Sequence, residues 1–206
     1  MTGPLVRTLE MRGESFFRLD FDHPEVEARV LDEMAAGIDV YYDRHWPFTQ
    51  EFCEFLLDHP ELVRGRNLLV AGAGVGMEAV VGGRLAKRLW INDWAPVALE
   101  LQERQLEANG LSVVDTICGS FGELELPPEV DLVLGCFVVY DAETAGAVEA
   151  MLERNLAAGV PTLLADLDLG GHFSRLLERF SEHTHRIAFP GSASDDTSRI
   201  QVVRAG

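Results

Sequence analysis

Cysteine is scarce in this chain: 206 residues hold three, Cys53, Cys118 and Cys136, far apart and without a C-x-x-C pair. That argues against a disulfide framework and against a cysteine-built zinc site, so no metal is expected. A reducing cytoplasm is the expected location. Positive charge is scarce too, with 17 Lys and Arg against 34 Asp and Glu and a formal net charge of -17. Phosphates would be repelled, so nucleic acid is not an expected partner. A small molecule or a basic protein segment is compatible with the acidity, which also serves solubility. There is no apolar run long enough to span a bilayer, and no N-terminal pattern of charge followed by apolar residues, so no membrane association is expected. Internal repeats, linkers and low-complexity tracts are absent as well. What remains is ordinary globular composition, 47% hydrophobic and 25% charged, with length for one sizeable α/β domain.

The chain is organised around Leu68 to Ala79. A short apolar run, Asn67 to Ala71, reads as a buried strand, and Gly72, Gly74 and Gly76 follow it directly. Met77-Glu78-Ala79-Val80-Val81 can then continue as a helix. Strand, glycine turn and helix open a βαβ unit in which a ligand can approach the backbone without meeting a Cβ. The helix start offers that ligand unpaired N–H groups. The spacing is G-x-G-x-G, not the dinucleotide G-x-G-x-x-G, because Met77 stands where the third glycine would be. A tight βα turn without a ligand is the bland alternative. Lys87 to Asn92 reads as the second strand, with Asp93 at its tip. An acid about 20 residues after the glycines can accept hydrogen bonds from ribose hydroxyls. It can also be a helix N-cap or a solvated loop acid. This spacing fits either a dinucleotide or S-adenosylmethionine.

The remaining chain alternates between strand-like and helix-like segments. Glu14 to Asp22 is a candidate edge strand, and Asp22-His23-Pro24 starts a helix running through Ile38. Residues 1–45 are expected to be a helical extension packed on a core domain of residues 46–206. Tyr41 to Gln50, aromatic and polar with Pro47 inside it, can pack over a ligand site or form a plain packed loop. Gln50 to Val63 is an expected amphipathic helix, with His59 a helix-end residue before Pro60. Further helices are expected at 96–109, 142–158 and 172–180, and strands at 111–117, 130–139 and 162–167. The near-continuous apolar stretch Val130 to Val139 marks a central parallel strand. Thr184–Phe189 and Arg199–Arg204 alternate and flank a polar turn, Pro190–Ser198, which predicts a closing antiparallel hairpin. The fold class is therefore a doubly wound, Rossmann-like α/β sheet.

Five βα units and a terminal hairpin resemble the class I, seven-stranded S-adenosylmethionine-dependent methyltransferases. Trp46-Pro47-Phe48-Thr49-Gln50 is similar to W-P-G-G-Q of the non-histone protein lysine methyltransferases. That subgroup includes the electron-transfer-flavoprotein β-subunit lysine methyltransferases and bacterial proteins labelled predicted nicotinamide N-methyltransferase. Ile91 to Pro96 is similar to its A-N-D-x-D-P, and Val133 to Asp141 parallels its fourth-strand signature. The resemblance implies S-adenosylmethionine as cofactor, with Gly72, Gly74 and Gly76 at its methionine end. Asp93 would hold the ribose hydroxyls and Trp94 would lie beside the adenine, with Ser120 and Phe121 flanking that base. Trp46 would pack at the substrate entrance, while Cys136 and Tyr140 would face the methyl group, Tyr140 as the catalytic residue.

Two positions depart from that pattern. Val70 stands where an acid usually precedes the glycines, and Phe137 stands where the lysine enzymes carry an Asp three residues before the tyrosine. Methyl transfer is an in-line displacement at a sulfonium carbon, so the protein mainly aligns the nucleophile. Tyr140, His45 or Gln50 could still hydrogen-bond an amine. Tyr140 could equally be a strand-end residue with its hydroxyl in water, and His45 a loop-packing residue. The expected activity is N-methylation of a protein lysine or small amine. The alternatives are a cofactor-binding or interaction protein of the same fold that has lost catalysis and, less favoured by the glycine spacing, an NAD-linked enzyme.

Overall fold

A computed structural model of the protein describes residues 4–42, 45–187 and 201–206. Strands β1 (Val6–Met11) and β2 (Glu14–Leu19) pair antiparallel and precede helix α1 (Pro24–Ala35). Their turn residues Arg12 and Gly13 both have positive φ, 49° and 75°. Two such residues make the tight turn whose twist matches paired strands. Helix is thus only part of the N-terminal extension, and the candidate edge strand pairs in a sheet of its own.

The core follows as α2 (Pro47–Asp58), β3 (Asn67–Ala71), α3 (Met77–Leu85), β4 (Arg88–Asp93), α4 (Pro96–Ala108), β5 (Asp115–Cys118) and β6 (Leu132–Cys136). It ends in α5 (Ala142–Ala157), β7 (Thr162–Asp166), α6 (His172–Arg179), β8 (Thr184–Ile187) and β9 (Gln201–Ala205). The seven-stranded sheet runs β5-β4-β3-β6-β7-β9-β8. β9 pairs antiparallel with both β7 and β8, and the remaining pairs are parallel. The hairpin strands are therefore as expected, while the turn Pro190–Ser198 lies outside the described residues.

The sheet is buried on both faces, which is why its central strands are apolar throughout. Leu68 and Val70 of β3 pack with Phe52, Phe55, Val80 and Val81 from α2 and α3. Leu69 and Ala71 pack on the other side with Met151, Leu152, Phe173 and Leu177 from α5 and α6. A third cluster joins the extension to the core: Leu19, Val26, Val30 and Tyr42 pack against Val75, Val97 and Leu101. Among the described residues no helix is long and apolar enough to cross a membrane.

Two strands are shorter than their apolar runs. β6 stops at Cys136, because Phe137 adopts φ 54°. β5 starts only at Asp115, after Val114 N–H donates to the Leu89 carbonyl at 2.7 Å.

Candidate active site

The strand order reverses between β3 and β6, so their connections leave in opposite directions and open a crevice at the C-terminal edge. A cavity of about 480 Å³ lies there. The glycine loop forms its floor. Gly72 and Gly74 have φ of 63° and 49°, and a Cβ on Gly72 would come within 2.8 Å of Val138 Cγ1. Glycine is thus required at Gly72 by backbone and by space together.

The loop is held from several sides. Asp93 accepts hydrogen bonds from Gly74 N–H at 2.8 Å through Oδ2 and from Ala95 N–H at 2.9 Å through Oδ1. Ala73 N–H donates to the Asn92 carbonyl at 2.9 Å. Gln102 donates to the Gly76 carbonyl at 3.0 Å and Gln105 to the Val75 carbonyl at 3.0 Å. Asp93 is buried, and its carboxyl is held above the usual range by desolvation, against the backbone N–H groups that favour its charge.

Opposite the loop stands an aromatic wall. Trp46 is the N-cap of α2, and its ring lies 4.9 Å from Phe137, which Phe48 also meets edge-on at 4.6 Å. Phe137 is a bulky residue in the left-handed region, a conformation that costs about 1–3 kcal/mol and persists only where packing enforces it. Here two aromatic rings enforce it. Tyr140 follows, 4.9 Å from Tyr41. Burial raises the Tyr140 phenol above its ordinary value, so it stays protonated at neutral pH. His45 donates from Nε2 to the Leu19 carbonyl at 3.0 Å. Burial lowers its pKa to about 4, leaving the ring neutral.

The residues singled out in the sequence converge on this cavity. Gly72, Gly74, Gly76, Asp93, Trp94, Phe121, Trp46, Cys136 and Tyr140 all line it. Ser120 does not: it is exposed, and its Oγ accepts from Gly122 N–H at 3.2 Å, closing its own turn. The structure separates Ser120 from the rest because β5 runs on to Cys118 and the chain turns at Gly119. His59 caps α2 and packs on Phe55 at 4.6 Å.

Other residues carry the site without having been legible. Glu33 on α1 accepts from Val97 N–H at 3.0 Å at the start of α4 and from the Tyr42 hydroxyl. Glu78 lines the cavity and is buried on the first turn of α3. Its signal was an acid inside an apolar helical run. Asp166, at the tip of β7, accepts from Val139 N–H at 3.1 Å and pins the segment before Tyr140. No group of residues that could hold a metal ion occurs among the described residues.

A seven-stranded sheet ending in an inserted antiparallel strand, with a glycine loop at the reversal point, is the fold of the class I S-adenosylmethionine-dependent methyltransferases. The 16S rRNA methyltransferase RsmC of T. thermophilus superposes with a TM-score of 0.60 at 18% identity, over 97% of this chain and 49% of that one. The N-methyltransferase NodS of Bradyrhizobium japonicum gives 0.56 at 17% identity, over 77% and 96%. In sequence, the chain is similar to the electron transfer flavoprotein β-subunit lysine methyltransferase of Xenopus laevis, 34% identical over 157 residues, 69% of this chain and 63% of that protein. The human counterpart is 30% identical over 64% of this chain and 54% of its own. The histone-arginine methyltransferase METTL23 of Rattus norvegicus is 25% identical over 65% and 63%. The chain thus spans less than two thirds of these relatives' length. No family model matches it.

Proposed function

We propose that this chain is an S-adenosylmethionine-dependent methyltransferase that modifies a nitrogen on a protein, a lysine side chain foremost. The observation that carries the reading is the convergence of the glycine loop, Asp93 and an aromatic wall on one cavity at the sheet reversal point. These residues fit the cofactor: Gly72, Gly74 and Gly76 line the cavity, and the Asp93 carboxylate lies at the tip of β4. Residues 46–206 would form the catalytic unit, with residues 1–45 bracing it. A protein acceptor is favoured by the relatives, which are named for protein lysine and protein arginine. The acidity of the chain favours a basic segment of that protein. The described cysteines are free, which fits a reducing cytoplasm.

When bound, S-adenosylmethionine supplies a sulfonium methyl group, an electrophile that needs an aligned nucleophile more than a base. The chain's residues then have to orient the acceptor. Trp46 and Phe137 form the entrance wall and exclude water. The Tyr140 phenol oxygen and the carbonyls at the end of β6 would accept hydrogen bonds from the amine N–H groups and so leave its lone pair free to face the methyl group. No carboxylate is required beside Phe137, because the amine reacts after losing its proton to solvent.

Labelled cofactor, offered with the electron transfer flavoprotein β subunit and with whole lysate, tests the reading. Protein labelling that rises with pH toward about 10.4, the ordinary lysine value, supports it. Tyr140→Phe should keep cofactor binding and lower turnover. Cofactor binding without transfer to any acceptor would favour the non-catalytic alternative.

A further inference from the structure

Glu78, on the first turn of α3, is a buried acid. Its side chain is 3% exposed, it lines the cavity, and its Oε2 is fully buried with no hydrogen-bond partner among the described residues. The carboxylate lies so close over Gly76 that a Cβ there would collide with it. Val70 of β3, two residues before the glycine loop, brings no charge. A buried carboxylate with an unfilled acceptor is costly unless a cation completes it. The charge acting on it from within the protein is that of Asp93, which has the same sign. Desolvation and Asp93 together raise its pKa to about 8, as befits a group lacking a counter-ion. The nearby cavity-lining groups at the floor, Gly76, Met77 and Cys136, supply none.

We propose that Glu78 is the counter-charge for the α-ammonium of the cofactor's amino-acid end, accepting its hydrogen bonds through Oε2. This rests on the cofactor reading above. An ammonium seated over Gly76 would meet the carboxylate at the start of α3. The missing partner of Glu78 is then part of the ligand, and Gly76 is glycine because the carboxylate occupies the space of its side chain.

Calorimetric titration of the full chain with two ligands tests this. S-adenosylhomocysteine carries the ammonium; 5′-methylthioadenosine has the same adenosine and thioether without it. Glu78→Gln should weaken S-adenosylhomocysteine roughly tenfold to a hundredfold, the value of a charge-assisted hydrogen bond, and leave 5′-methylthioadenosine unchanged. Equal affinity of wild type and variant for S-adenosylhomocysteine would overturn the proposal, as would an equal loss for both ligands. Should the variant not fold, wild type alone decides: an S-adenosylhomocysteine analogue lacking only the α-amine must bind at least tenfold more weakly, and equal binding refutes the assignment. Failure of wild type to bind either nucleoside would instead defeat the cofactor reading itself.

Discussion

Replacing Asp93 by Ala perturbs two functions of one carboxylate, and their magnitudes separate them. In the ligand-free protein the change strips acceptors from Gly74 N–H and Ala95 N–H, bonded at 2.8 and 2.9 Å. A hydrogen bond to a charged acceptor contributes about 1.5–3 kcal/mol, which for two bonds gives an upper bound near 6 kcal/mol. The raised pKa of Asp93 shows that burying the charge consumes part of this gain. A net loss of about 2–4 kcal/mol is the reasonable expectation. For a chain of 206 residues that lowers the Tm by roughly 4–16 °C. Asp93→Asn keeps one acceptor but turns an amide N–H₂ toward the other donor, so its Tm should fall between wild type and Ala. Cofactor affinity behaves differently. Both variants lose the charged acceptor offered to the ribose, so both should bind S-adenosylhomocysteine at least about tenfold more weakly. Thermal unfolding followed by circular dichroism, with calorimetric titration on the same samples, reads both quantities. A Tm for Asp93→Ala within about 1 °C of wild type would refute the bracing role. Undiminished affinity in Asp93→Asn would remove Asp93 from the cofactor site.

Gly72→Ala should cost about 1–3 kcal/mol from the left-handed backbone alone, with a further steric part because the new methyl would sit 2.8 Å from Val138 Cγ1. In chemical denaturation, Val138→Ala in the same chain should recover only the steric part. Full recovery would show that the backbone at Gly72 is unstrained. Glu78 and Asp166 have pKa values raised by burial, to about 8 and about 7. The folded state therefore keeps protons that the unfolded chain releases near 4, and ligand-free stability should fall as pH rises from about 4.5 to about 8. The Glu78→Gln, Asp166→Asn double variant should flatten that slope in urea unfolding at a series of pH values, and an unchanged slope would contradict the assignment.

Much of the site was legible because its parts are local. Asn67 to Ala71 followed by alternating glycines reads as a buried strand and a tight turn whether or not a ligand sits there, and Asp93 lies one short strand further on. The terminal hairpin was legible in the alternation of Thr184–Ile187 and of the last residues. What stayed hidden depended on partners far along the chain. Nothing local told Asp93 apart as a loop brace, because Gly74 reaches it only once β3 and β4 are in register. Ser120 stands apart from the cavity lining because the chain turns at Gly119 directly after β5, a turn the apolar pattern does not mark. The β1–β2 hairpin escaped notice because both strands are half exposed and their alternation is weak. Glu78 looked like any acid in a helix's first turn, where the dipole welcomes negative charge; its burial follows from how α3 packs under α2.

Gln105 spans two parts of the protein with one side chain. Its Oε1 accepts from Leu19 N–H at 2.7 Å, and its Nε2 donates to the Val75 carbonyl in the glycine loop at 3.0 Å. Strand β2 and the loop are therefore ends of one rivet, 56 positions apart in sequence (Leu19 to Val75). Local opening of the hairpin withdraws one anchor of the loop, and anything that locks the loop makes that opening rarer. By linkage the two free energies are shared. Backbone amides of β2 should accordingly exchange their hydrogens more slowly when the crevice is filled.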